Sequence, residues 1–293
     1  RGMLDVFYLM RRRRPRSTLC PYPPAVRSTF GNAIVQERGL VSYFALLPGS
    51  VEERWEQRAQ LLAELEETYG EKLPNVFFRF DIVRDVYSGI ISVAQSYGIG
   101  SFEANSVMLG WPTNPESRSD YARMLRDLVR LDRSLLLVRY NKERGLGDRK
   151  EIHIWWGGLK GNGGLMLLLS SLLRAHDKWR GARVTLITVV ENEQMRATAS
   201  ARKERIIEAA RIDATPRVIL REGRSIQQVM REVSSEADLA ILGIGLPEPE
   251  QDADAFFERI DAMLEHMPTT LLVHSARTFE GEPVLFEAEG ESP

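Results

Sequence analysis

The residues best placed to do chemistry form one run, Gly157-Gly158-Leu159-Lys160-Gly161-Asn162-Gly163-Gly164. It follows a short apolar strand pattern and opens a helical one. Backbone N–H groups in such a turn can cradle an anion at a helix N-terminus, with the helix dipole behind them. Gly157, Gly158, Lys160, Gly161, Asn162, Gly163 and Gly164 are therefore the candidate anion- or nucleotide-binding residues. The run is not a P-loop, because Lys160 precedes the last glycines and no Gly-Lys-Ser/Thr ending follows. Its glycines also miss the Gly-x-Gly-x-x-Gly spacing. Two other readings stand beside anion contact: a tight turn that packs the next helix onto a sheet, and a contact with another domain or partner.

A second cluster is basic. Arg11, Arg12, Arg13, Arg14 and Arg16 crowd a Pro-rich loop and suit phosphates or anionic lipid headgroups, or simply a solvated loop. Excess Arg and Lys is common in cytoplasmic segments beside a membrane span. The remaining reactive residue types are scattered. His153, His176, His266 and His274 show no metal-ligand spacing. The first and last fall in strand patterns; the other two fall near helix ends, where the dipole favours a cation. Cys20 is the single cysteine, which excludes an internal disulfide and a cysteine metal cluster. No Gly-x-Ser-x-Gly elbow occurs. Asp81, Asp85 and Asp238 lie near strand ends, and in a doubly wound sheet one such edge is where ligands bind. Trp155 and Trp156 are neighbours on a strand and so point to opposite faces, which must both be covered.

These residues need a scaffold, and the composition supplies one. The chain has 293 residues, 43% hydrophobic and 27% charged, with a net charge of −2. That balance is globular and suggests two domains at roughly 150 residues each. The near-zero net charge gives no field for nucleic acid. No apolar run approaches the roughly 18 residues of a membrane helix, so the chain is expected to be soluble. The Arg run follows the first apolar stretch instead of preceding it, which is not the order of a secretory signal. A first residue of Arg, with Met3 close behind, reads as a fragment or as residues left in front of a start.

Apolar runs alternate with amphipathic stretches. Strands are predicted at 4–10, 40–47, 76–83, 106–111 and 135–140, and helices at 25–38, 51–69, 86–97 and 118–131. The polar stretch 141–150 suggests a boundary, giving an N-terminal half at 1–145 and a C-terminal half at 146–293. The second half repeats the plan: strands at 151–156, 183–190, 217–220, 239–244 and 270–274, and helices at 164–179, 194–210, 226–235 and 253–265. The start of the helix at 164, Leu165 to Leu173, is apolar almost all round and should be buried on more than one side. An acidic tail from about 280 is expected to fray. Gly110 and Gly243 end similar strands 133 residues apart, and Leu136-Leu-Val138 and Leu271-Leu-Val273 stand 135 apart. The near-constant offset predicts an internal repeat. The fold class is α/β, as two doubly wound parallel-sheet halves of about five strands each.

The stretch Ile154-Trp-Trp-Gly-Gly-Leu-Lys-Gly-Asn-Gly-Gly-Leu-Met-Leu-Leu-Leu169, continuing through His176-Asp-Lys-Trp-Arg180, resembles the cytosolic C-terminal domain of prokaryotic cation-chloride cotransporters. These belong to the amino acid-polyamine-cation transporter superfamily. Asn105 to Gly110 and Val184 to Val189 look like further strands of that family. The resemblance runs from about Gly39 to His274, and the loop of Arg11 to Pro24 departs from it. It implies a regulatory, homodimeric domain on the cytoplasmic face of the cell membrane, with no catalysis and no cofactor. Its partner would be the transporter's own membrane domain, which couples Na⁺ or K⁺ to Cl⁻. It also implies halves similar to universal stress proteins, some of which bind ATP through Gly-x-x-Gly and a later Gly-Ser/Thr. The equivalent loops here, Gly110-Trp-Pro-Thr-Asn-Pro115 and Gly243-Ile-Gly-Leu-Pro-Glu-Pro249, lack that pattern. A nucleotide- or anion-binding sensor of the universal-stress type is the alternative.

Overall fold

The computed structural model describes residues 6–11, 41–69, 76–99, 102–157 and 161–277. The helix expected at 25–38 and the acidic tail lie outside them. The chain divides into two compact units, residues 2–136 and 137–293.

The first unit begins with β1 (Val6–Arg11), β2 (Val41–Pro48), α1 (Val51–Tyr69), β3 (Val76–Val83) and α2 (Val86–Ser96). A two-residue antiparallel ribbon follows, β4 (Gly98–Ile99) and β5 (Phe102–Glu103). Then come β6 (Ser106–Gly110), α3 (Arg118–Arg130) and β7 (Ser134–Arg139), the last crossing the division. β1 pairs in parallel with β2 and β6, and β2 with β3, in the order β7-β6-β1-β2-β3.

The second unit holds β8 (Glu151–Trp155), α4 (Gly163–Ala175), β9 (Arg183–Val190), α5 (Glu193–Ala210), β10 (Thr215–Leu220), α6 (Ile226–Val233), β11 (Leu239–Gly243), α7 (Ala253–Leu264) and β12 (Thr269–His274). Its order is β12-β11-β8-β9-β10, with β8, β9, β10, β11 and β12 paired in parallel. Numbered within each unit, both sheets run fifth, fourth, first, second, third. The offsets hold as well: β6 and β11 start 133 residues apart, and β7 and β12 start 135 apart. The repeat seen in the residues is thus a repeat of topology.

Local chemistry explains the element ends. Asp85 caps α2 by accepting from Ser88 N at 2.8 Å and Ser88 Oγ at 2.6 Å. Ser225 and Gln228 form a reciprocal capping box on α6. Strands covered on both faces are apolar throughout, as in Leu135, Leu136, Leu137 and Val138, all buried. The helix expected at 164–179 is shortened most. α4 stops at Ala175 and a separate 3-10 turn covers Asp177–Trp179. His176 causes the break: its backbone is extended and its Nδ1 accepts from Lys178 N at 3.1 Å. Burial, then Lys178, lowers its pKa, so it is held as a neutral cap and not as a dipole-stabilised cation.

Candidate functional site

In a doubly wound sheet, ligands gather outside the carboxyl ends of the strands where the order reverses. In the second unit that point lies between β8 and β11. The glycine-rich run leaves β8 there. Gly158 and Lys160 lie outside the described residues; Gly157, Gly161, Asn162, Gly163 and Gly164 are placed.

Asn162 is the residue that organises this edge. It occupies the N-cap of α4 but makes no capping bond. Its side chain, 5% exposed, instead ties two strand ends together. Its Oδ1 accepts from Ser275 N at 2.8 Å, just past β12. Its Nδ2 reaches Ile244 O at 3.5 Å, just past β11, and that carbonyl also accepts from His274 Nδ1 at 2.9 Å. The approach is close enough that a Cβ on Gly243 would stand 2.9 Å from Asn162 Nδ2. Gly163 is required for another reason: a Cβ there would enter the ring of Trp156. Gly157 and Gly164 face open space. Gly163 therefore serves close packing of α4 against Trp156, while the first turn of α4 keeps no side-chain cap.

A cation missing from the sequence reading completes the picture. Lys203 of α5 is only 4% exposed, and its Nζ lies 5.0 Å from the centroid of the Trp156 ring. Burial, with Arg202 adding, lowers its pKa to about 8. The signal was legible: Lys203 falls in the apolar stripe Ala199, Ile206, Ile207, Ala210 at helical spacing.

The opposite face of β8 is a separate polar cluster. Trp155 Nε1 donates to Ser234 Oγ at 3.0 Å, and His153 Nδ1 pairs with the same hydroxyl at 3.0 Å. Burial, then Arg217, lowers the His153 pKa to about 4, with Asp238 opposing. The two tryptophans do point to opposite faces. The carboxylates correct an expectation. Asp238 precedes β11 and so sits at the amino end of the sheet, away from the ligand edge. It accepts from Asp148 N (3.1 Å), Lys150 N (2.6 Å) and Glu151 N (3.0 Å), pinning the loop into β8. Asp85 is a helix cap, and Asp81 lies within β3.

In the first unit, Arg11 ends β1 at the corresponding switch point; Arg12, Arg13, Arg14 and Arg16 lie outside the described residues. Across it, Trp111 is buried and Tyr121 Oη donates to Gly110 O at 2.5 Å. Among the described residues no cluster of three His, Cys, Asp or Glu could hold a metal, and no helix is long and apolar enough to cross a membrane.

No family model matches the chain. Potassium/chloride cotransporter 3 of Caenorhabditis elegans is 27% identical over 195 residues, 60% of this chain. The chain spans 17% of that relative's length. Among solved structures, the cytoplasmic domain of a prokaryotic cation chloride cotransporter is similar with a TM-score of 0.65 and 18% identity, over 97% of this chain and 99% of that one. A universal stress protein from Archaeoglobus fulgidus is similar with a TM-score of 0.57 and 10% identity, over 93% and 97% of the two chains. The resemblance read from residues 154–180 is thus met both in sequence and in fold, and the α/β architecture with universal-stress-like neighbours stands.

Proposed function

We propose that this chain is the cytosolic regulatory and dimerisation domain of a membrane cotransporter that couples Na⁺ or K⁺ to Cl⁻, with no chemistry of its own. The observation that carries the reading is the 195-residue similarity to a potassium/chloride cotransporter. The end-to-end structural likeness to a cotransporter's cytoplasmic domain supports it. The partners are a second copy, the transporter's membrane domain and, through Arg11 to Arg16, anionic lipid headgroups. The site is the cytoplasmic face of the cell membrane. We also propose the two halves 1–145 and 146–293 as the functional division, nine residues beyond the division of the compact units. The test is chloride-dependent rubidium uptake in cells expressing the full-length gene, with and without this domain. Uptake that depends on chloride and changes on deleting the domain supports the reading. A full-length protein lacking membrane helices, or uptake indifferent to chloride, overturns it.

One observation favours a second reading, an anion- or nucleotide-binding sensor at Gly157 to Gly164. Lys203 is a buried ammonium that pairs with no carboxylate among the described residues, stacked on the Trp156 that abuts α4. Calorimetry with ATP, phosphate and chloride decides it. Heat lost in the Gly161→Ala, Gly163→Ala variant supports the sensor, and no heat at millimolar ligand removes it.

A further inference from the structure

We propose that β3 is an interface strand, whose outer edge pairs antiparallel with β3 of a second copy about a two-fold axis at Phe80. The inference rests on the dimeric reading above and names its surface.

The repeat provides the control. β3 and β10 are the third strands of their units, and each ends its sheet among the described residues. β10 has six residues and carries Pro216, which has no N–H to offer a neighbouring strand. β3 has eight residues, Val76–Val83, rich in Phe, Val and Ile and free of proline. One edge strand is guarded by its sequence and the other is not.

The charge pattern of β3 selects both partner and register. Arg79 and Asp81 flank Phe80 and share one face. With Phe80 opposite Phe80, Arg79 of each copy faces Asp81 of the other, Phe78 faces Ile82 and Phe77 faces Val83. A shift of the axis to residue 79 sets arginine against arginine. A shift to residue 81 sets aspartate against aspartate. Both neighbouring registers are penalised and the central one is rewarded twice. Phe77, 44% exposed, supplies an apolar contact on the same face as the charges.

In the single chain, α1 holds the centre of this edge. Arg58 Nε donates to Phe80 O at 2.6 Å, and Trp55, 56% exposed, stacks on the Arg58 guanidinium at 5.5 Å. Strand pairing displaces Arg58 from that carbonyl. Arg58 is then a removable guard that competes with dimerisation.

Sedimentation equilibrium of the full chain tests the proposal, with circular dichroism and urea midpoints checking that each variant folds. Asp81→Arg and Arg79→Asp should each weaken the dimer by roughly tenfold or more. The double reversal R79D/D81R should restore it, because the pairs re-form with signs exchanged. Arg58→Ala should tighten it. A dimer indifferent to the single reversals overturns this surface while leaving the dimeric reading intact. A chain that stays monomeric throughout, Arg58→Ala included, overturns both.

Discussion

Two adjacent glycines at the start of α4 separate packing from ligand contact. At Gly163 a new Cβ meets the rigid benzo edge of Trp156, so Gly163→Ala should destabilise by about 1–3 kcal/mol through overpacking. At Gly164 the space is open, and Ala should stabilise the helix by about 0.5–1 kcal/mol. Urea midpoints of the two variants check the opposite signs. His153 makes a pH prediction. Its folded pKa of about 4 lies below its ordinary 6.5, so the unfolded state binds more protons in between. Its contribution is complete above about pH 6.5 and is lost as pH falls toward 4, about 3 kcal/mol in all. His153→Phe should flatten that part of the stability–pH curve. At this scale the sequence was readable by type more than by role. The glycines announced a turn, but that Asn162 would lace two strand ends depends on contacts more than 80 residues away in the chain.

Elements were far more legible than side chains, because their signals are local. α1 follows the periodicity of its residues to the boundary, since Pro48 ends β2 and Ser50 caps α1 by accepting from Glu53 N. The β4-β5 ribbon was not foreseen; two residues per strand carry no period. Nor was the break at His176, which depends on a side chain turning back on its own backbone. The loop before β8 shows how a tertiary contact fixes an element's start. Asp238 receives three N–H groups from Asp148, Lys150 and Glu151, and a Cβ on Gly147 would collide with its carboxylate. Asp238→Ala should leave three part-buried donors without this acceptor and cost about 1–3 kcal/mol, read as a lower thermal midpoint. Asp238→Asn keeps one acceptor oxygen and should cost less.

For the molecule as a whole, the two units share one strand order, and the same topological position carries different chemistry in each. After β8 the sequence carries a glycine-rich run with one charge, Lys160; after β1 it carries Arg11, Arg12, Arg13, Arg14 and Arg16. The total charge is only −2, with 39 basic and 41 acidic residues, so attraction to an anionic surface cannot come from the net field. It must be local, at about 1 kcal/mol per arginine near the surface. The full chain should therefore cosediment with vesicles containing phosphatidylserine and not with pure phosphatidylcholine. Replacing the five arginines by Gln should abolish the binding while leaving the thermal midpoint unchanged. Raising salt toward 1 M shrinks the Debye length from about 10 Å to about 3 Å and should release the wild-type chain as well. Binding that survives both the substitutions and the salt would place the membrane contact elsewhere, on apolar surface and not on this run.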